Sequence, residues 1–519
     1  MADEELRQQT GDDGPPRSIV ATGDDSATER ARTTGPDATP GPDATMGPEE
    51  TPGPEETLGP DATADRRVRT VLADLFAAPA EPASRAGLAR WASPLVQVAV
   101  VALGALVMLA RVSGRPAWDS IYAEDPRIYL PQALAHPWHL LQSYGGYLQL
   151  VPRLIGQIAA LLPIRHASVA FAAGGALVAS ACGLFAYHAS AGQVRSRWLR
   201  ALVGLSVVLL PVAPLEIADN GVNSIWYLLV ALFWAALWRP RTRTGAAVAA
   251  VVAFAAAASS SLALVFVLLF AARAIVVPRR LREHAATAGW VLGSLLQAGV
   301  IATSHLSRFA PRDPVNLALY YAHDVLLPAL GWHLSWHLRD LLGLTGATAL
   351  AGGVIVVILA SVLATQDRQC RVFVVTAVLT GLVLTTISSA LAWGGPGQRV
   401  TPRIEHGARY STVPILLLDA ALIVAADAYT RRWWRRPRPR PRAIAAVVAL
   451  VAVLAAGWVT DFRYPVRRLA GPPSDWQRTA AAWLHYCQHQ PAGTITVTFR
   501  DWWSTRRLAT TFSCSSLRR

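Results

Sequence analysis

The chain has 519 residues, of which 53% are hydrophobic and 16% charged, and its formal net charge is +14. A soluble chain would carry roughly 25% charged residues, and here long apolar runs recur, so a set of soluble domains is excluded. The positive charge would suit a nucleic-acid binder, but it is carried entirely by arginine, clustered in short loops between apolar runs, where membrane topology accounts for it.

Residues 1–65 contain a short repeat: Gly35-Pro36-Asp37-Ala38-Thr39, Gly41-Pro42-Asp43-Ala44-Thr45, Gly47-Pro48-Glu49-Glu50-Thr51, Gly53-Pro54-Glu55-Glu56-Thr57 and Gly59-Pro60-Asp61-Ala62-Thr63. Gly-Pro and acids without apolar residues do not offset the entropy of ordering a chain, so a disordered cytoplasmic tail is expected, with a partner-binding tail as the alternative. Residues 66–92 read as a juxtamembrane segment carrying Arg66, Arg67, Arg69, Arg85 and Arg90. The first apolar run starts too far along for an ordinary cleavable signal peptide.

Residues 93–460 read as an all-α polytopic membrane domain. Apolar stretches at 95–110, 167–189, 202–214, 222–238, 246–258, 262–277, 286–303, 344–365, 372–393, 413–426 and 443–459 predict about eleven transmembrane helices. The pair on either side of Ser259-Ser260-Ser261 is either two helices joined by a tight turn or one long broken helix. Arginines gather after the even-numbered spans: Arg195, Arg197 and Arg200; Arg239, Arg241 and Arg243; Arg279, Arg280 and Arg282; Arg368 and Arg371; then Arg431 to Arg442. The positive-inside rule therefore predicts a multi-pass plasma-membrane protein with a cytoplasmic N-terminus and an extracytoplasmic C-terminus.

That orientation puts the long first loop, 113–165, outside. It holds Asp119, Glu124 and Asp125, carboxylates that can take a proton from a hydroxyl nucleophile or hold a divalent cation such as magnesium or manganese. Glu124 or Asp125 can equally cap the segment that starts at Pro126. The passage Tyr144-Gly145-Gly146-Tyr147 leads into a polar-marked apolar segment bearing Arg153, expected to lie in or dip into the outer interface. Arg153 either clamps a phosphate bidentately or snorkels to lipid headgroups. The second outer loop brings Glu216, Asp219, Asn220 and Asn223 close to the bilayer.

Outer loop 304–342 adds Arg308, Arg312, Asp313, Asp324, His333, His337 and Arg339. His333 and His337 share one helix face, but Trp332 and Trp336 beside them favour an interfacial aromatic belt over a metal pair. The loop after the ninth span, through Arg399, Arg403, Glu405, His406 and Arg409, is glycine-rich and suits a phosphate or pyrophosphate headgroup. Asp419 lies inside the tenth span, where an acid is either functional or hydrogen-bonded to a neighbouring helix. Residues 461–519 are expected to form a small α/β extracytoplasmic cap. They contain a strand-like alternation from Thr494 to Phe499, and Cys487 and Cys514, which either pair as a disulfide or stay as free thiols.

Taken together, a span, a long outer loop with the Glu124-Asp125 pair, many further spans, arginine-bearing outer loops and a folded C-terminal piece resemble the GT-C superfamily, integral-membrane glycosyltransferases that use polyprenyl-phosphate-linked sugars. The likeness is one of layout, over residues 90 to 519. The passages Tyr144 to Arg153 and Arg409-Tyr410-Ser411-Thr412-Val413-Pro414 are similar to actinobacterial membrane proteins of this type. The acid pair is Glu-Asp where many members show Asp-Asp, Asp-Glu or Asp-x-Asp, which leaves open which residue would be the base.

The resemblance implies sugar transfer on the outer face. A polyprenyl-phosphate sugar would have its phosphate held by Arg153, Arg403 or Arg409. Asp125 or Glu124, with Asp119 nearby, would activate the hydroxyl of an envelope glycan or lipid acceptor. Tyr147, Glu216, Asp219, Glu405, His406 and Asp419 would be secondary members of the site. The one candidate cofactor is a divalent cation, magnesium or manganese, should the acids hold one. No Gly-rich phosphate loop or dinucleotide fingerprint occurs on the cytoplasmic side. The alternatives are an envelope glycan polymerase or ligase, a transporter or lipid flippase built on broken helices and internal symmetry, and a non-catalytic scaffold.

Overall fold

The computed structural model describes residues 69–78, 93–113, 116–122, 124–212, 216–304, 313–365, 367–392, 408–434, 441–465, 476–500 and 507–517. The Gly-Pro repeat lies outside these residues, as do Arg308, Arg312, Arg399, Arg403, Glu405 and His406. Every stretch predicted as a span contains a helix. Among the described residues, five helices are long and apolar enough to cross a membrane: Ile164–Gly192, Ala285–Thr303, Trp332–Ala360, Arg368–Leu391 and Arg409–Arg432. The protein is therefore mostly helical and carries candidate membrane helices, with shorter apolar helices around them.

The helices used below are α1 (Pro94–Ala110), α2 (Leu130–Ala135), α3 (Leu150–Leu161), α4 (Ala167–Ala189), α5 (Arg197–Leu209), α6 (Ser224–Leu237), α7 (Arg243–Ala257), α8 (Val267–Val276), α9 (Ala285–Thr303), α10 (Pro314–Tyr320), α11 (Trp332–Thr365), α12 (Arg368–Ala392), α13 (Ala408–Trp434), α14 (Pro441–Thr460) and α15 (Trp476–His489). α6 is apolar all round, and each of its residues is buried, so it is the centre of the bundle. It packs against α4, α7 and α13.

The serine run divides α7 from α8. Ser260 Oγ accepts the Leu262 N–H at 3.3 Å, which starts a 3-10 turn over Ser261–Phe266 instead of continuing α7. Ser259 Oγ accepts the Val151 N–H at 3.0 Å, so the break also anchors the first turn of α3.

The two ends of the bundle differ. One gathers arginines. Arg368 pairs with Asp74 at 3.0 Å, Arg431 with Asp427 at 2.9 Å and Arg239 with Glu283 at 2.9 Å. Residues 69–75 are helical and dock here, with Leu75 and Phe76 buried and the Leu75 carbonyl accepting from Gln193 Nε2 at 2.6 Å. The opposite end carries the loops that hold the predicted acids. There buried Arg111 donates to the carbonyls of Val208 and Leu210, both at 2.7 Å, and of Phe462 at 3.3 Å. Arg111 thus ties the exits of α1, α5 and α14 together. Next to it β1 (Val112–Ser113) pairs in parallel with β4 (Tyr464–Pro465).

The C-terminal residues fold at this same end. Strands β5 (Thr494–Arg500) and β6 (Arg507–Ser513) form an antiparallel hairpin, and a disulfide joins Cys487 to Cys514. Trp476 Nε1 donates to the Ile164 carbonyl at 2.8 Å, and the Trp483 ring meets that of Phe512 at a tilt of 31°. Asp119 Oδ1 accepts the Gln477 N–H at 2.9 Å, close to the N-terminus of α15. Asp119 therefore anchors the C-terminal piece to the first loop.

Candidate functional site

The site is built on a π-turn, Asp125–Tyr129, that opens the polar part of the first loop. Asp125 is fully buried, and its two oxygens accept the N–H groups of Gly221 and Val222, each at 3.0 Å. A carboxylate with both oxygens on backbone donors is a clamp, and this one fixes the loop that follows α5. Inside that loop Asn220 Nδ2 donates to the Glu216 carbonyl at 2.8 Å, and Asn223 Nδ2 donates to the same carbonyl at 3.0 Å. Asp219 takes φ of 55°, in the left-handed region that Asp tolerates better than most residues. The loop lies against Gly175 of α4, where a Cβ would stand 2.3 Å from the Asn220 carbonyl oxygen, so only glycine permits this approach.

The result is that Glu216 points inward. It is buried and accepts the Tyr122 hydroxyl at 3.2 Å and the Arg409 backbone N–H at 3.1 Å. Its other contact is an ion pair with Arg409 Nη1 at 3.1 Å. A carboxylate on the first turn of α13 suits the positive end of that helix. Arg409 Nη2 donates to the Tyr410 hydroxyl at 3.1 Å and lies over its ring, and Tyr410 meets Trp226 of α6 edge-on.

Glu124 stands beside this pair and is only partly buried. Its Oε2 is shielded and has no hydrogen-bond partner among the described residues. Its charge acts on Tyr122, Tyr129, Tyr147 and Arg409, which places it among them. Burial pushes the Tyr122, Tyr129 and Tyr147 hydroxyls above their ordinary range, so they remain neutral donors at physiological pH. The structure thus brings Glu124, Glu216, Arg409 and Tyr147 together.

Arg153 is buried in α3 and already engaged. It donates to Gln132 Oε1 at 2.8 Å and to the Ser143 carbonyl at 3.3 Å, and it sits over the Tyr129 ring. It holds α2 and the hairpin of β2 (Ser143–Tyr144) and β3 (Tyr147–Leu148) that presents Tyr147. Asp219 is buried near Arg111. Asp419 is buried within α13 beside Ser206 of α5. Tyr122 and Tyr410 complete the centre. The signals for them were adjacency, two residues before the acid pair in one case and next to Arg409 in the other.

Among the described residues no three His, Cys, Asp or Glu gather as metal ligands. The oxygens of Asp125 face backbone N–H groups and those of Glu216 face Arg409, so the described carboxylates do not form the oxygen-rich set magnesium or manganese prefers.

No family model and no curated protein matches the chain. Among solved structures it is similar to ArnT from Cupriavidus metallidurans in the apo state, with 14% identity, 77% of this chain and 70% of that chain covered, and a TM-score of 0.36. A likeness at that level assigns neither an activity nor a site.

Proposed function

We propose that this chain is an integral-membrane glycosyltransferase of the GT-C kind. It transfers a sugar from a polyprenyl-phosphate donor to a hydroxyl of an envelope glycan or lipid, at the outer face of the plasma membrane. The observation that supports this most is Glu124, a carboxylate whose shielded Oε2 has no hydrogen-bond partner among the described residues, held beside an arginine at the loop end of a membrane bundle.

In this reading Glu124 takes the proton of the acceptor hydroxyl. The acceptor oxygen bonds to the anomeric carbon, and the bond from that carbon to the phosphate oxygen breaks. The polyprenyl phosphate leaves with the electron pair. Arg409, shared with Glu216, and Arg403 are the proposed partners of the departing charge, while Arg153 holds the hairpin that presents Tyr147. Asp125 holds the second loop so that Glu216 and Arg409 stay in register with Glu124, and no step passes through a metal ion. The outer face suits the donor, because a lipid-linked sugar is membrane-borne and needs no cytoplasmic nucleotide.

The test uses purified protein in nanodiscs with a panel of polyprenyl-phosphate sugars, following sugar transfer and donor breakdown. Glu124→Gln should abolish turnover while leaving the melting temperature and donor binding unchanged. Asp125→Asn should lower the melting temperature along with turnover. Equal turnover by wild type and Glu124→Gln would remove the proposed base, and the transferase reading would lose its main support.

A further inference from the structure

A second polar cluster lies in the 313–348 region, on residues the proposed transfer does not use. Asp324 sits on a π-turn, Tyr321–Leu326, and is 2% exposed. Its Oδ1 is shielded and has no hydrogen-bond partner among the described residues. Arg339 lies on the first segment of α11. Its Nη1 and Nη2 are likewise shielded and without a hydrogen-bond partner among the described residues. Buried Arg111 and Arg273 are different, since both terminal nitrogens of each donate to main-chain carbonyls.

The Arg339 guanidinium is nonetheless held in place. Its Nε donates to His323 Nδ1 at 3.2 Å, and the guanidinium lies over the Trp336 ring. With Nδ1 accepting, His323 Nε2 carries the hydrogen and donates to Thr348 Oγ1 at 2.9 Å. Thr348 Oγ1 in turn donates to the Leu344 carbonyl at 2.8 Å. This chain runs from one side of the Gly343 kink to the other and consistently requires a neutral imidazole. Burial and the neighbouring arginine lower His323 to about 4, which agrees with that state. The chain orients the arginine and leaves its two shielded terminal nitrogens without a hydrogen-bond partner among the described residues, as a fork.

We propose that Arg339, oriented by His323 and flanked by the carboxyl of Asp324, forms a phosphate-binding subsite separate from the Glu124–Glu216–Arg409 centre. A planar guanidinium fork matches two phosphate oxygens. Asp324 contributes because it is protonated at neutral pH: burial raises its carboxyl to about 8, against the lowering effect of Arg339. A protonated carboxyl donates a hydrogen bond, whereas an ionised one would repel the phosphate. The other titratable or charged groups nearby are Tyr320 and Tyr321 on the same stretch, Asp340 next to Arg339, and Tyr410 on α13 and Glu216, both of which act on Tyr320. Burial raises the Tyr320 and Tyr321 hydroxyls above their ordinary range, so neither titrates near pH 8.

The proposal does not depend on glycosyl transfer, and its readout is binding. Full-length protein in phosphatidylcholine nanodiscs is titrated with inorganic phosphate and, separately, with a short-chain phosphatidic acid. Binding should weaken between pH 7 and pH 9, although phosphate itself gains charge over that interval. Arg339→Gln should weaken binding by about tenfold at both pH values, on the scale of one charge-assisted contact. Asp324→Asn, which keeps a neutral donor, should bind at pH 9 as it does at pH 7. Binding of both probes would identify a free phosphate group as sufficient, and binding of the lipid alone would identify a headgroup site. Failure of both probes, or unchanged binding by Arg339→Gln in a protein with wild-type melting behaviour, would overturn the assignment.

Discussion

Glu124 and Asp125 are neighbours in sequence, and the fold gives them different work. Asp125 accepts two backbone N–H groups from a loop about a hundred residues away, and Glu124 makes no such bond. Hydrogen bonds to a charged group contribute about 1.5–3 kcal/mol each, so Asp125→Ala should lower folding stability by at least that amount. Glu124→Ala should cost clearly less than Asp125→Ala, because its shielded Oε2 has no hydrogen bond to lose. Thermal unfolding of both variants in the same nanodiscs checks this, and similar losses would show that the two acids share the clamp. The sequence placed the acid pair at the loop but left its roles open, because the residues that divide them, Gly221 and Val222, are distant in the chain. Arg153 is similar: its type and position were legible, and its engagement by Gln132 and Ser143 was not.

At the scale of elements, apolar runs predicted the helices well, and the breaks were harder to read. The predicted span at 344–365 begins one residue after Gly343, which has φ of 66° and ψ of 179° inside α11. A Cβ there would meet nothing within 4 Å, so this glycine serves backbone conformation and not close packing. That region of φ and ψ is essentially closed to other residues, and Gly343→Ala should cost about 1–3 kcal/mol. The kink also sets the angle between Arg339 before it and Thr348 after it, so the same variant should weaken phosphate binding at the Arg339 cluster. A melting temperature equal to wild type would show that the helix straightens without penalty. No periodicity marks such a residue, because apolar pattern reports burial and says little about φ. The break at Ser259-Ser260-Ser261 was visible as composition, and its resolution into two helices rests on the Ser260 hydrogen bond to Leu262.

For the whole molecule, the arginine pattern and the contacts agree on how residues divide between the two ends. Arg239, Arg368 and Arg431 share an end with Leu75 and Phe76, and Glu124, Asp324 and the disulfide lie at the other. Which end faces the cytoplasm is the remaining step, and positive-inside reasoning puts the arginine end there. The cysteines provide a test that needs no substitution. Cys182 and Cys370 are buried thiols, whereas Cys487 and Cys514 are joined as a disulfide. If the loop end is outside, a membrane-impermeant maleimide should label intact cells only after a membrane-impermeant reductant has opened that bond. Labelling that requires permeabilised cells would place the C-terminal residues, and Glu124 with them, on the cytoplasmic side. Nucleotide sugars would then be within reach, and the reason for a lipid-linked donor would disappear. The labelling pattern therefore tests the orientation and the donor class together.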